Sequence, residues 1–85
     1  MYVILVYDLK ADRTDKIHKK CSQYLTWKQN SLFEGELTKA QYSELSSWIN
    51  EYVGDSESVI IYTLRTEDAV NKNVFGDEPQ DSTIL

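Results

Sequence analysis

Tyr2-Val3-Ile4-Leu5-Val6-Tyr7-Asp8 is the stretch from which the fold can be read. Six apolar or aromatic residues in succession read as a strand buried on both faces. The run closes on a carboxylate, placed where the strand leaves the core and held close to the surface. Such an acid suits a divalent-metal ligand, because Mg²⁺ takes hard oxygen donors and only one or two protein carboxylates. On position alone, a turn or helix-cap role for Asp8 is the commoner outcome.

Outward from that strand, residues 12–24 read as a helix. Asp12 is its N-cap candidate, and Asp15 three residues on makes an acidic variant of the capping box. Ile17, Cys21 and Tyr24 recur at helical spacing as the buried face, while Arg13, Lys16 and Lys20 form another. His18 reads as a surface or boundary residue without a catalytic role. Residues 26–37 switch to period two, with a break near Gln29-Asn30-Ser31 that gives two short strands. Gly35 marks a bulge or a close backbone approach.

The second helix has the clearest start. Thr38-Lys39-Ala40-Gln41 is a capping box, and Leu37 with Tyr42 is placed as a hydrophobic staple. Tyr42, Leu45, Ile49 and Tyr52 form its apolar stripe, and Gly54 reads as the left-handed residue that ends it. Ser58 to Leu64 is again apolar on both faces and reads as a central strand. The order strand, helix, strand, strand, helix, strand predicts an α+β, ferredoxin-like βαββαβ domain over residues 1–64. Its sheet is antiparallel with both helices on one face, and strands one and four are expected as inner neighbours. Residues 65–85 are a C-terminal extension: a fifth strand over 70–75 ended by Gly76, a turn containing Pro79, and an apolar end, Ile84-Leu85, that docks on a second subunit.

Eighty-five residues make one domain. A single cysteine, Cys21, and a single histidine leave no disulfide and no Cys/His metal cluster. No apolar stretch approaches the ~18 residues of a membrane span. The chain opens on a strand pattern without a basic leader, so a cytoplasmic protein that needs no membrane is expected. Net charge is −5, yet residues 1–40 carry seven Lys/Arg against five Asp/Glu, and residues 41–85 carry two against nine. A local basic stripe binds phosphate even on an acidic protein, since its field acts within about 8–10 Å. A solvated helix face is the commoner outcome for any one such run.

Val6-Tyr7-Asp8 at the strand end, a basic first helix, and Gln29-Asn30-Ser31-Leu32-Phe33-Glu34-Gly35-Glu36-Leu37-Thr38 together resemble the small CRISPR-associated endonuclease family. The resemblance covers essentially the whole chain. It implies a ferredoxin-like homodimer whose two sheets face each other, with each fifth strand joining its mate's sheet. Asp8 would then meet its own copy across the interface and hold Mg²⁺ or Mn²⁺. The resemblance further implies a metal-dependent endonuclease on single-stranded RNA or duplex DNA, serving spacer acquisition as the small subunit beside the CRISPR integrase. Lys28 stands where the family often has arginine, which keeps charge but loses bidentate phosphate geometry. Tyr24 is followed by Leu25 where the family often has glycine.

Under this reading Asp8 is the catalytic metal ligand. Tyr7, Ser31 and Phe33 support it, and Arg13, Lys16, Lys20 and Lys28 hold nucleic acid, Arg13 being the best placed for a bidentate phosphate contact. Phe33 as core and Ser31 as a turn hydroxyl are the commoner roles for such residues. A non-catalytic DNA-holding subunit and a VapD-type toxin ribonuclease are the rival readings. An RNA-recognition-motif protein would need an aromatic string on the sheet that this chain lacks.

Overall fold

A computed structural model describes residues 1–77. Four strands, β1 (Tyr2–Asp8), β2 (Thr26–Gln29), β3 (Leu32–Glu36) and β4 (Ser58–Leu64), form one antiparallel sheet in the order β2-β3-β1-β4. Helices α1 (Thr14–Ser22) and α2 (Lys39–Tyr52) cover one face of it. Between sheet and helices lie Val3, Leu5, Tyr7 and Phe33 from the strands, Ile17 and Cys21 from α1, and Leu45 and Ile49 from α2. This is the ferredoxin-like arrangement expected.

The inner strands are β1 and β3, not β1 and β4. Strand β4 pairs only with β1 and forms an edge. Its two-sided apolarity has another cause. Val59 and Ile61 pack on the core, whereas Ile60 and Tyr62 point the other way and are 50% and 57% exposed. The face of the sheet opposite the helices carries them beside half-buried Ile4 and Val6.

Two local expectations change, at the start of α1 and at Gly54, and the reading of Gly35 resolves to one of its two alternatives. Helix α1 is preceded by a 3-10 turn, Ala11–Arg13, so Asp12 lies in that turn and Arg13 is the N-cap residue, without a side-chain cap bond. The bulge falls at Lys28, between Trp27 and Gln29, whereas Gly35 is the close approach: a Cβ there would lie 3.1 Å from Leu25 Cδ2. Gly54 is not left-handed. It follows an extended Val53 and donates its N–H to Glu57 Oε1 at 2.8 Å. The fifth strand over 70–75 is absent from the isolated chain. That segment runs beside β2 and β3, with Lys72 Nζ 3.8 Å from Glu34 Oε1. An edge strand lent to a mate has no ladder partner in one chain, so its pairing there is not decided by this conformation. The expected turn at Pro79 and the apolar end lie outside the described residues.

The hairpin and the second helix form as read. Asn30 turns the chain with φ +46°, which asparagine tolerates better than most residues, and its carbonyl accepts the Trp27 indole N–H at 2.8 Å. The Thr38–Gln41 capping box is complete in both directions.

Candidate active site at the end of β1

Asp8 is exposed at the last position of β1, on the same side as Ile4 and Val6 and therefore on the uncovered face. Strand β4 places Ser58 directly opposite it. On the β3 side the Tyr7 N–H donates to the Ser31 carbonyl at 3.2 Å, so the hairpin turn sits against the strand end. The exposed carboxylate thus has Ser58 opposite it on β4, while on the β3 side the recorded contact is between the Ser31 carbonyl and the neighbouring Tyr7 amide. Ser31 was expected to contribute its side chain at this end of the sheet, and its carbonyl is what meets β1. Ser58 was not expected there, although β1 and β4 have equal length and run antiparallel, which alone sets it across from Asp8.

Tyr7 and Phe33 lie on the inner side of the sheet. Both are buried on the helix side, their ring centroids 6.3 Å apart. Phe33 is fully buried and also meets His18 edge-on at 5.1 Å, so it is core and presents no stacking surface. His18 is held between Phe33 and Trp27, the latter at 5.2 Å. Burial pushes the Tyr7 phenol above its ordinary value, with lesser contributions from Cys21 and Asp15, so its hydroxyl stays protonated. Burial likewise pushes the Cys21 thiol up to about 12, which leaves it an inert core group.

The basic residues do not form one cluster with Asp8. Arg13 is engaged internally: its Nε donates to Glu57 Oε2 at 2.8 Å and Oε1 at 3.1 Å, its Nη2 donates to the Tyr52 carbonyl, and its guanidinium lies 4.3 Å over the Tyr52 ring. The fork predicted to grip phosphate grips a carboxylate of the same chain. Lys16 lies beside Trp48, Glu51 and Tyr52 on the outer side of the helices. Lys20 stands 5.8 Å over both the Tyr24 and Trp48 rings, and Trp48 stacks on Tyr52 at 4.7 Å. Lys28, at the bulge, lines a cleft with Leu32, Glu34 and Lys72. Lysines 16 and 20 therefore lie across the sheet from Asp8.

Glu57 has a structural role that no sequence pattern marked. Its side chain is 1% exposed and accepts the Lys10 N–H at 3.0 Å and the Gly54 N–H at 2.8 Å besides Arg13. Burial raises its carboxyl, but the Lys10 and Gly54 amides and the Arg13 guanidinium outweigh this and hold it below the usual range. The hydrogen bond to Glu57 chiefly raises Arg13 in turn. A buried glutamate with no cationic partner nearby in sequence carries no signal until the fold brings residue 13 to residue 57.

Among the described residues no three His, Cys, Asp or Glu side chains gather as a metal site. Among the described residues, the exposed carboxylate that one chain offers an ion at this end of the open face is Asp8, with Ser58 opposite it. These are hard-oxygen residues of the kind Mg²⁺ and Mn²⁺ take, and too few to enclose either ion without water or a second chain. No helix among the described residues is long and apolar enough to cross a membrane.

Comparison with known proteins agrees with this frame. The family model for CRISPR associated protein Cas2 matches residues 1–72. A CRISPR-associated endoribonuclease Cas2 of Methanosarcina acetivorans is 42% identical over 86 aligned positions, spanning 100% of this chain and 99% of that protein. CRISPR-associated endoribonuclease Cas2 2 of Archaeoglobus fulgidus is 40% identical over 79 residues, 92% of this chain and 86% of its own. A crystal structure described as cas2 superposes with TM-score 0.84 at 42% identity, covering 92% of this chain and 88% of that one. Streptococcus pyogenes Cas2 at pH 6.5 superposes at 0.77 with 23% identity, covering 89% and 100%, a likeness of fold alone. A family match over residues 1–72 and relatives aligned over nearly their whole length lead to one conclusion: the chain belongs to the CRISPR-associated protein Cas2 family.

Proposed function

We propose that this protein is a CRISPR-associated endonuclease of the spacer-acquisition machinery that works as a homodimer and uses Mg²⁺ or Mn²⁺ held between two copies of Asp8. One observation carries the reading: Asp8 is exposed at the end of β1 on the sheet face that the helices leave open, beside apolar residues that a second sheet would cover. The names of the relatives support endoribonuclease activity. A twofold axis through the open face would double the single carboxylate into a pair.

When bound there, the ion polarises a phosphate oxygen and lowers the pKa of a bound water. Asp8 holds the charge that keeps the ion in place. The Ser58 hydroxyl, on the strand position opposite Asp8, is placed to donate to a phosphate at this end of the sheet, and Ser31 stands on the adjoining turn. Lys28 reaches the nucleic-acid backbone from the β2 edge, and Lys16 and Lys20 from the helix side. Tyr7 and Phe33 act by packing alone. The fifth strand of the extension pairs with the mate, and the integrase subunit and duplex DNA or single-stranded RNA are the partners.

A second reading is a DNA-holding subunit that needs no cutting. The placement of Lys16 and Lys20 across the sheet from Asp8 favours it, since backbone contacts there do not involve the carboxylate. Cleavage of single-stranded RNA and duplex DNA, with and without Mg²⁺, by wild type and Asp8→Ala decides between them. Metal-dependent cutting that the folded variant lacks supports the nuclease, and the polymer cut identifies the substrate. Equal cutting by both proteins, or none by either, leaves the scaffold.

A further inference from the structure

Glu57 touches the segment just past Asp8, the turn into β4 and Arg13 with one carboxylate. It accepts the Lys10 N–H, two residues beyond Asp8, and the Gly54 N–H, and it receives Arg13 Nε on both oxygens. The next residue, Ser58, is the strand partner of Asp8. Arg13 is itself immobilised. Its guanidinium is stacked on the Tyr52 ring at 4.3 Å, and the Tyr52 hydroxyl donates to its carbonyl at 2.7 Å. As the chain leaves β1, Leu9 packs on the core, the Lys10 carbonyl accepts the Arg13 N–H at 2.8 Å, and the Glu57 carboxylate adds the side-chain hold on the Lys10 amide. A Cβ at position 54 would lie 3.2 Å from Glu57 Oε1, so the glycine there leaves room for the contact.

From this geometry we infer that Glu57 and Arg13 are positioning residues for Asp8: a carboxylate–guanidinium strap that sets where the β1 end, and with it the Asp8 carboxylate, lies. The inference rests on the proposed role of Asp8 as the site carboxylate. It also reassigns Arg13, whose fork acts on the protein rather than on phosphate. A shared metal needs two carboxylates placed together, and a displacement of about 1 Å at such a site lowers turnover by up to ~10²-fold. Glu57 and Arg13 act on Asp8 through the backbone and one strand pairing, not by contact with substrate.

The test compares Glu57→Gln, Arg13→Lys, Arg13→Ala and the Glu57→Gln/Arg13→Ala double variant with wild type in full-length protein. Steady-state cleavage and amide hydrogen exchange at Lys10 and Gly54 are both measured. Expected are a kcat about tenfold lower in Glu57→Gln and Arg13→Ala with KM within about twofold, a smaller loss in Arg13→Lys, and a double variant no worse than the poorer single. Lys10 amide exchange should accelerate with the loss of kcat across the series. If Arg13 instead grips phosphate, its removal raises KM, while Glu57→Gln frees it and tightens binding; either result overturns the inference. So does a Glu57→Gln protein with unchanged kcat, or a Lys10 amide unprotected in wild type. Should Arg13→Ala not fold, Arg13→Lys and Glu57→Gln carry the comparison. A wild type that does not cut refutes the nuclease reading, and the exchange rates alone then judge the strap.

Discussion

The two faces of the sheet are built from the same strands and have different fates. On one, Val3, Leu5, Tyr7 and Phe33 are sealed beneath α1 and α2. On the other, Ile4 and Val6 are half-buried, and Ile60 and Tyr62 stand about half open to solvent. Alternation along a strand makes each residue choose a face, so a strand apolar at every position needs two covers. The described residues supply one in full, the two helices. Residues 72–77 lie beside β2 and β3 without reaching the exposed pair on β4, and Phe75 on that segment is 93% exposed. Contiguous exposed apolar surface of this kind is where a protein receives a partner.

The contrast can be broken most sharply from the covered side. Phe33→Ala empties a fully enclosed site and should cost about 3–5 kcal/mol, a large share of what an 85-residue domain has. Urea unfolding reads this, and a cost under about 1 kcal/mol would mean that the helices do not seal that face. The same kind of change on the open face should act differently. Ile60→Asp should leave the stability of a dilute single chain within about 0.5 kcal/mol while weakening self-association at least about a hundredfold. Sedimentation across a concentration series separates the two effects. An unaltered association constant would mean that the open face is not the interface.

The smallest effect concerns the strap where the faces meet. Glu57 titrates below the ordinary carboxyl value, so its ionised form stabilises the native state. That contribution is fully present above the unfolded carboxyl pKa of about 4.3, and is lost as pH falls from there through the lower native value. Melting temperatures of wild type and Glu57→Gln should therefore differ at neutral pH and converge below about pH 4. A gap that persists unchanged in acid would show that charge is not what Glu57 contributes.

How legible all this was depends on the range of the interaction. The β1 run, the Thr38–Gln41 cap and the hairpin at Asn30 are local chemistry, and each forms as its residues indicate. Strand order is not local. Ser58–Leu64 reads as central because an uncovered apolar face and a covered one have the same composition. The exposed position of Asp8 at the strand end was legible, and the Gln29–Thr38 segment pointed to the family later matched. Arg13 was read as a phosphate ligand because its carboxylate partner lies forty-four residues away. Ser58 and Glu57 were hidden for the same reason.

In the proposed dimer two chains join through the open face and share one ion between their Asp8 carboxylates. The stoichiometry of Mn²⁺ binding, followed by calorimetry or electron spin resonance on wild type and Asp8→Ala, reads this directly. One strongly bound ion per two chains is expected, lost in the variant while the dimer persists. One ion per chain, or binding that survives the loss of Asp8, would contradict it.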